Sequence, residues 1–133
     1  MQRSYQKVRI ILQIAAFSTL IIGVGTLLFP DLIVSWFDGT SGESNHFVRF
    51  IGTALIGFSV ANWLCSRLPD LSHALPVIYG NFTSLVLAIL VDLIGLALNL
   101  LSGAVWIILL VHFSFALAFW YCIRLIASAA TTK

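Results

Sequence analysis

Apolar residues fill four long stretches of this chain, and polar residues collect in the short breaks between them. Val8–Phe29, Phe47–Leu68, Leu75–Leu98 and Gly103–Ile123 are each about as long as the roughly 20 residues that carry a helix across a bilayer. The pattern predicts an all-α polytopic membrane protein, an antiparallel four-helix transmembrane bundle forming one domain over residues 1–133. The second break, Arg67–His73, is short enough to force antiparallel neighbours. Pro76 falls in the first turn of the third span, where a missing N–H does little damage.

The breaks carry local signals of their own. Pro30 and Asp31 suit a helix start, so Pro30–Phe37 (PDLIVSWF) begins a short helix after the first span. It is too short to cross and carries Trp36 near its end, which places it in the outer interface. The polar run Asp38–Glu43 reads as a turn, with Ser44 or Asn45 capping the second span. Asn99–Gly103 reads as a tight turn with Ser102 as a cap.

Composition agrees with the pattern and sharpens it. The 133 residues are 60% hydrophobic and only 9% charged, with a mean hydropathy of +1.05. A soluble domain carries about a quarter of its residues as charges, so this chain cannot clothe a water-facing surface. Arg3, Lys7, Arg9, Arg67, Arg124 and Lys133 flank the same ends of the spans, and Arg49 alone lies on the other side. The positive-inside rule therefore puts both termini and the second break in the cytoplasm. The basic residues act as topology signals, and no nucleic-acid partner is expected. The first apolar run is too long for a signal-peptide core and no small-residue cleavage site follows it, so it reads as a retained helix. Cys65 and Cys122 form no CxxC pair and read as small apolar packing residues.

Membrane helices associate through small residues and interhelical hydrogen bonds, because lipid is as apolar as leucine. Ala15, Thr19 and Gly23 form such a row on the first span. Thr53, Gly57 and Ala61 form one on the second, with Gly52 beside them. The third span is different: Asn81, Ser84, Ala88, Asp92, Gly95 and Asn99 make one continuous small and polar stripe on a helix otherwise of Leu, Val and Ile. Lipid would not satisfy Asn81 or Asp92, so the stripe faces the bundle or a partner chain.

Asp92 is the sharpest single position. It lies about 9 Å inside its helix end at 1.5 Å per residue, where an ionised carboxylate costs about 2.5–3.5 kcal/mol on insertion scales. His112 in the next, antiparallel span is the expected partner, since Val105, Leu109, His112, Ala116 and Phe119 share one face. Two main roles stay open for the pair, beside a proton pathway, which would need more titratable groups in series. The first is a structural polar clamp fixing helix order and register. The second is a ligand or substrate site with Asp92 and His112 as acid–base or hydrogen-bonding groups. There Asn81, Ser84 and Asn99 add polar contacts, and Trp106 and Phe115 form apolar walls. One histidine and one carboxylate are too few for a metal, and no cofactor is implied. Asn62 and Gln13 are lone intramembrane amides that read as interhelical hydrogen-bonders. Phosphate loops, Ser–His–Asp arrangements and zinc-protease patterns are absent.

Gly25–Pro30 (GTLLFP), Arg49–Leu55 (RFIGTAL), Arg67–Asp70 (RLPD) and the closing aromatic helix together resemble the small four-helix membrane proteins of bacteria grouped with the DoxX-like proteins. The resemblance spans nearly the whole chain through hydropathy, glycines and a proline. It implies the four-helix fold and a place in a membrane-associated redox complex, the family being linked to quinone-dependent sulfur oxidation. No catalytic residue of that family matches a position here. Two function classes therefore remain. The leading one is a non-enzymatic subunit, scaffold or oligomeric module, with the bilayer and a second copy or complex partner as contacts. The other is a small intramembrane enzyme or binder of a lipid-like hydrophobic molecule between the third and fourth spans.

Overall fold

Long apolar segments cannot leave backbone amides bare in a nonaqueous phase, so each closes its N–H groups on carbonyls of its own helix. A computed structural model of the chain, describing residues 2–36, 43–98 and 105–130, has this form. Helix α1 covers Gln2–Leu28, α2 Pro30–Trp36, α3 Glu43–Ser66, α4 Leu75–Ala97 and α5 Val105–Ala130. The described residues contain no strand, and α1, α3, α4 and α5 are each long and apolar enough to cross a membrane. The fold is an all-α four-helix bundle.

The helices differ from the apolar runs in instructive ways. Helix α1 starts at Gln2 rather than Val8, and α5 continues to Ala130 rather than stopping at Ile123. In α1 the backbone hydrogen bonding carries on where the side chains turn polar, and in α5 it carries past Arg124 into a further apolar turn. Helix α3 begins at Glu43, so Ser44 and Asn45 lie inside its first turn rather than capping it. The polar turn before it and the stretch 99–104, with Asn99 and Ser102, lie outside the described residues. The second break holds a 3-10 turn over Leu71–Ala74, capped by Asp70, whose carboxylate accepts from the Ser72 amide at 2.9 Å.

Around the bundle the order is α1, α3, α4, α5, with α1 closing the ring against α5. The most extensive contact joins α1 to α3, and α4 packs chiefly on α5. The short α2 lies against α3 and buries Pro30 and Val34.

The α1–α3 seam is a backbone contact. A methyl group added at Gly23 would sit 2.9 Å from the Gly52 carbonyl oxygen, and one at Gly52 would sit 2.8 Å from that of Gly23. Thr26 seals the crossing from within α1, its hydroxyl donating to the Ile22 and Gly23 carbonyls at 2.8 and 2.9 Å. On α1 the seam follows the expected row, with Ala15 and Gly23 buried and Thr19 half-buried. On α3 it does not: Thr53 and Gly57 are exposed, and a methyl at Gly57 would meet nothing within 4 Å. The buried face of α3 instead runs through Gly52, Ser59, Asn62 and Ser66. Two neighbouring rows of that helix carry small residues, and four-residue spacing alone does not say which of them meets α1.

The hydrophobic core gathers towards the end of the bundle that holds the N-terminal part of α1 and the α3–α4 connection. Val8 and Leu12 meet Cys65, Leu71, Ala74, Ile78, Phe119, Cys122 and Ile126 there. Both cysteines are buried, reduced members of that core. Polar contacts fasten the same end. The Tyr5 hydroxyl donates to Asp70 at 3.1 Å, and the Arg9 guanidinium donates to the Leu68 carbonyl at 2.8 Å. Lys7 reaches the Tyr121 hydroxyl at 3.4 Å. One end of the bundle is therefore locked.

Two measurements check this account. Gly52→Ala should destabilise the protein by about 1–3 kcal/mol, the usual cost of forcing atoms into a filled contact, whereas Gly57→Ala should leave stability unchanged or slightly raised. Unfolding in mixed micelles distinguishes them, and equal effects at the two sites would overturn the seam. The second concerns Asp70, whose carboxyl is held below its ordinary value of 3.8 by the Ser72 amide first, then by the Ser72 and Tyr5 hydroxyls. A depressed carboxylate stabilises the fold above that ordinary value and loses its contribution as pH falls through its lower folded value. The melting-temperature gap between wild type and Asp70→Asn should therefore be constant near neutrality and close in acid below 3.8. A gap that persists there would remove the role assigned to the carboxylate.

Candidate functional site

The polar stripe of α4 is where chemistry concentrates. Asn81 and Asp92 are three turns apart on nearly the same face, about 16 Å along the axis, and each is answered by a neighbouring helix. His112 Nδ1 on α5 lies 2.8 Å from Asp92 Oδ2, with 28% of the histidine side chain and 14% of the aspartate side chain exposed. The contact holds the ring by one nitrogen. His112 Nε2 has no hydrogen-bond partner among the described residues.

Nearer the locked end, Asn81 and Asn62 face each other across α4 and α3. Asn81 Nδ2 donates to Asn62 Oδ1 at 2.8 Å, and Asn62 Nδ2 donates back at 3.5 Å. Asn81 Nδ2 also donates to the Val77 carbonyl at 2.9 Å. Both amides are buried, at 1% exposure for Asn62 and 7% for Asn81. Their mutual pairing is what makes that burial tolerable. Helix α4 is thus pinned to α3 by an amide pair and to α5 by a carboxylate–imidazole pair.

Between these two pins lies a cavity of about 240 Å³ reached by all four long helices. Ala15, Thr19 and Ile22 of α1 and Leu55, Phe58 and Asn62 of α3 line one half. Asn81, Ser84 and Ala88 of α4 and His112, Phe115 and Phe119 of α5 line the other. The walls are mostly apolar. Among the polar groups, Thr19 is bonded within its own helix, to the Ala15 carbonyl at 2.8 Å, and the asparagines satisfy each other. The hydroxyls of Ser18 and Ser84 make no hydrogen bond among the described residues. Where α3 and α4 border the cavity, Phe58 and Ser84 are exposed, and α4 meets α3 over a much shorter length than it meets α5.

The expected site residues divide accordingly. The structure brings Asn81, Ser84, His112 and Phe115 to the cavity, and it places Asp92 behind the His112 ring. Trp106 does not form a wall; it is 61% exposed on the outer side of α5. It stands six residues from His112, about one and two-thirds turns, so its side chain leaves the helix roughly 120° round from the cavity-facing one. Asn99 lies outside the described residues. Sequence reasoning flagged Asn62 only as a lone amide. Asn62 and Asn81 flank the same short connection on consecutive antiparallel helices, and that signal would have paired them. Among the described residues no three histidine, cysteine, aspartate or glutamate side chains cluster.

Comparison with family models, curated proteins and solved structures finds no match to this chain.

The amide pair makes a clear thermodynamic prediction. Asn62→Leu or Asn81→Leu alone strands a buried amide and should cost about 1–2 kcal/mol, whereas the double replacement should cost less than the sum. Strict additivity in a double-mutant cycle would show that the two side chains do not act as a unit.

Proposed function

We propose that this protein spans the membrane four times and binds a hydrophobic small molecule in the cavity between its helices. His112 supplies the main polar contact, and Asp92 fixes the ring that makes it. The observation that supports this reading is the void itself. If the α4 stripe served helix packing alone, protein atoms would cover it; instead Asn81, Ser84 and Ala88 border open volume, and His112 faces the same space. Ligand sites in membranes and elsewhere are mostly apolar cavities with a few convergent polar groups.

The scaffold reading draws on the same polar pairs. Those pairs are satisfied within one chain, however, so they give no independent reason for a second copy or a complex partner. Binding also asks less of the site than catalysis does. A proton-transfer mechanism needs a second reactive group on the cavity surface, and Asp92 sits behind His112 rather than among the lining residues.

Charge placement supports an orientation with both termini and the α3–α4 connection in the cytoplasm, and the likeness to bacterial DoxX-like proteins suggests a bacterial inner membrane. In that orientation α2 lies at the outer surface, and the Asp92–His112 pair belongs to the outer half of the bilayer. The likeness to DoxX-like proteins supports the same four-helix arrangement and leaves room for a redox-complex partner.

Native mass spectrometry of protein released from membranes tests the proposal. Wild type should carry one hydrophobic molecule per chain. Ala88→Phe, which fills the cavity from α4, should carry none while keeping its helix content, and Asp92→Asn should retain it only in part. An Ala88→Phe protein that keeps the same bound mass would place the ligand elsewhere and overturn the assignment.

A further inference from the structure

The cavity's hydrogen-bonding inventory is restrictive enough to select among ligands, given that the cavity is a binding site as proposed above. An ionised carboxylate accepts hydrogen bonds and donates none. For an ionised Asp92 beside a neutral His112, the proton in the 2.8 Å contact belongs to Nδ1. A neutral imidazole carries only one N–H, so Nε2 is left as a bare acceptor. The asparagines are engaged with each other and Thr19 with its own helix, whereas the Ser18 and Ser84 hydroxyls are uncommitted. Among the described residues no lysine or arginine lines the space, so a phosphate or carboxylate would arrive without a counter-charge in an apolar setting. A neutral ligand hydroxyl, which both donates and accepts, answers Nε2 and an uncommitted wall hydroxyl together.

Size narrows the class further. An engineered apolar cavity of about 150 Å³ takes one benzene ring, so about 240 Å³ takes roughly ten heavy atoms on the same scale. The walls by Ile22, Leu55, Phe115 and Phe119 suit a flat or alicyclic apolar body. A longer tail has a route out, because Phe58 and Ser84 are exposed where the α3–α4 seam borders the cavity. That seam faces the bilayer, which is the source of such molecules.

We infer that the ligand is an apolar alcohol or phenol drawn from the bilayer, burying about ten heavy atoms and donating its hydroxyl to His112 Nε2. Ser84, whose own hydroxyl is uncommitted, supplies a donor to the same ligand oxygen.

The test uses three probes of one skeleton, 2-naphthol, 2-methoxynaphthalene and naphthalene. Binding is measured at equilibrium to the full-length protein in lipid nanodiscs, with protein-free discs subtracted. Wild type should bind 2-naphthol about tenfold more tightly than either of the others, the scale of one hydrogen bond formed out of water. His112→Phe should erase that preference while still binding all three. Because the ligand series is read on wild type, the outcome does not depend on the variant folding. Equal binding of the naphthol and its methyl ether would overturn the hydroxyl assignment and leave the cavity as a binding site. Failure of all three probes to bind would overturn the binding reading itself, and this inference with it.

Discussion

A polar side chain inside an apolar phase has no solvent to fall back on, and the arrangement of this bundle follows from that single constraint. Helix α4 carries two strongly polar groups that lipid cannot satisfy, Asn81 and Asp92. Each draws a different neighbour: Asn62 from α3 and His112 from α5. Rotating α4 by a quarter turn would break both contacts at once. Leucine and valine packing, which lipid can imitate, offers no comparable penalty. The polar pairs therefore define the position of α4 about its own axis, and the hydrophobic residues follow.

Helices α1 and α3 use a different device. Their attachment rests on two glycines whose backbones approach closely, with Thr26 and Ile56 packed against the crossing. The bundle thus consists of a tightly apposed pair, α1 with α3, and a polar-pinned helix that leans chiefly on α5. At the end fastened by Tyr5, Arg9 and the Asp70 cap the two units share a core. Beyond it they diverge, and the cavity fills the divergence. The void is a consequence of joining two well-made pairs at one end only.

Much of the fold was legible in the chain because membrane helices announce themselves by length and apolarity. The short α2 was legible from Pro30 and Asp31, and the Asp92–His112 contact from an inward-facing histidine about one turn deeper on the next, antiparallel helix. The contacting row on α3 was not, since Gly52 and Gly57 are equivalent as letters and only the partner backbone separates them. Trp106 shows a similar limit. Aromatic character suggests a wall or a belt equally well, and its rotation about α5 decides the matter. The cavity was the least legible feature, because empty space depends on where two helix pairs part and leaves no residue type as its mark.

The outward faces have a quieter consequence for how such a chain changes over generations. Ile14, Phe17, Ile21, Phe50, Leu87, Val91, Ile107 and Leu110 are all largely exposed, and lipid asks of them only that they stay apolar. Substitution among aliphatic and aromatic residues is nearly neutral there. Drift will erase identity along most of each helix long before it alters the bundle. What selection can hold fast is a sparse set of positions: the two facing glycines, the amide pair, and the aspartate with its histidine. Kinship to this protein will be carried by the spacing of those few letters rather than by the length of sequence between them.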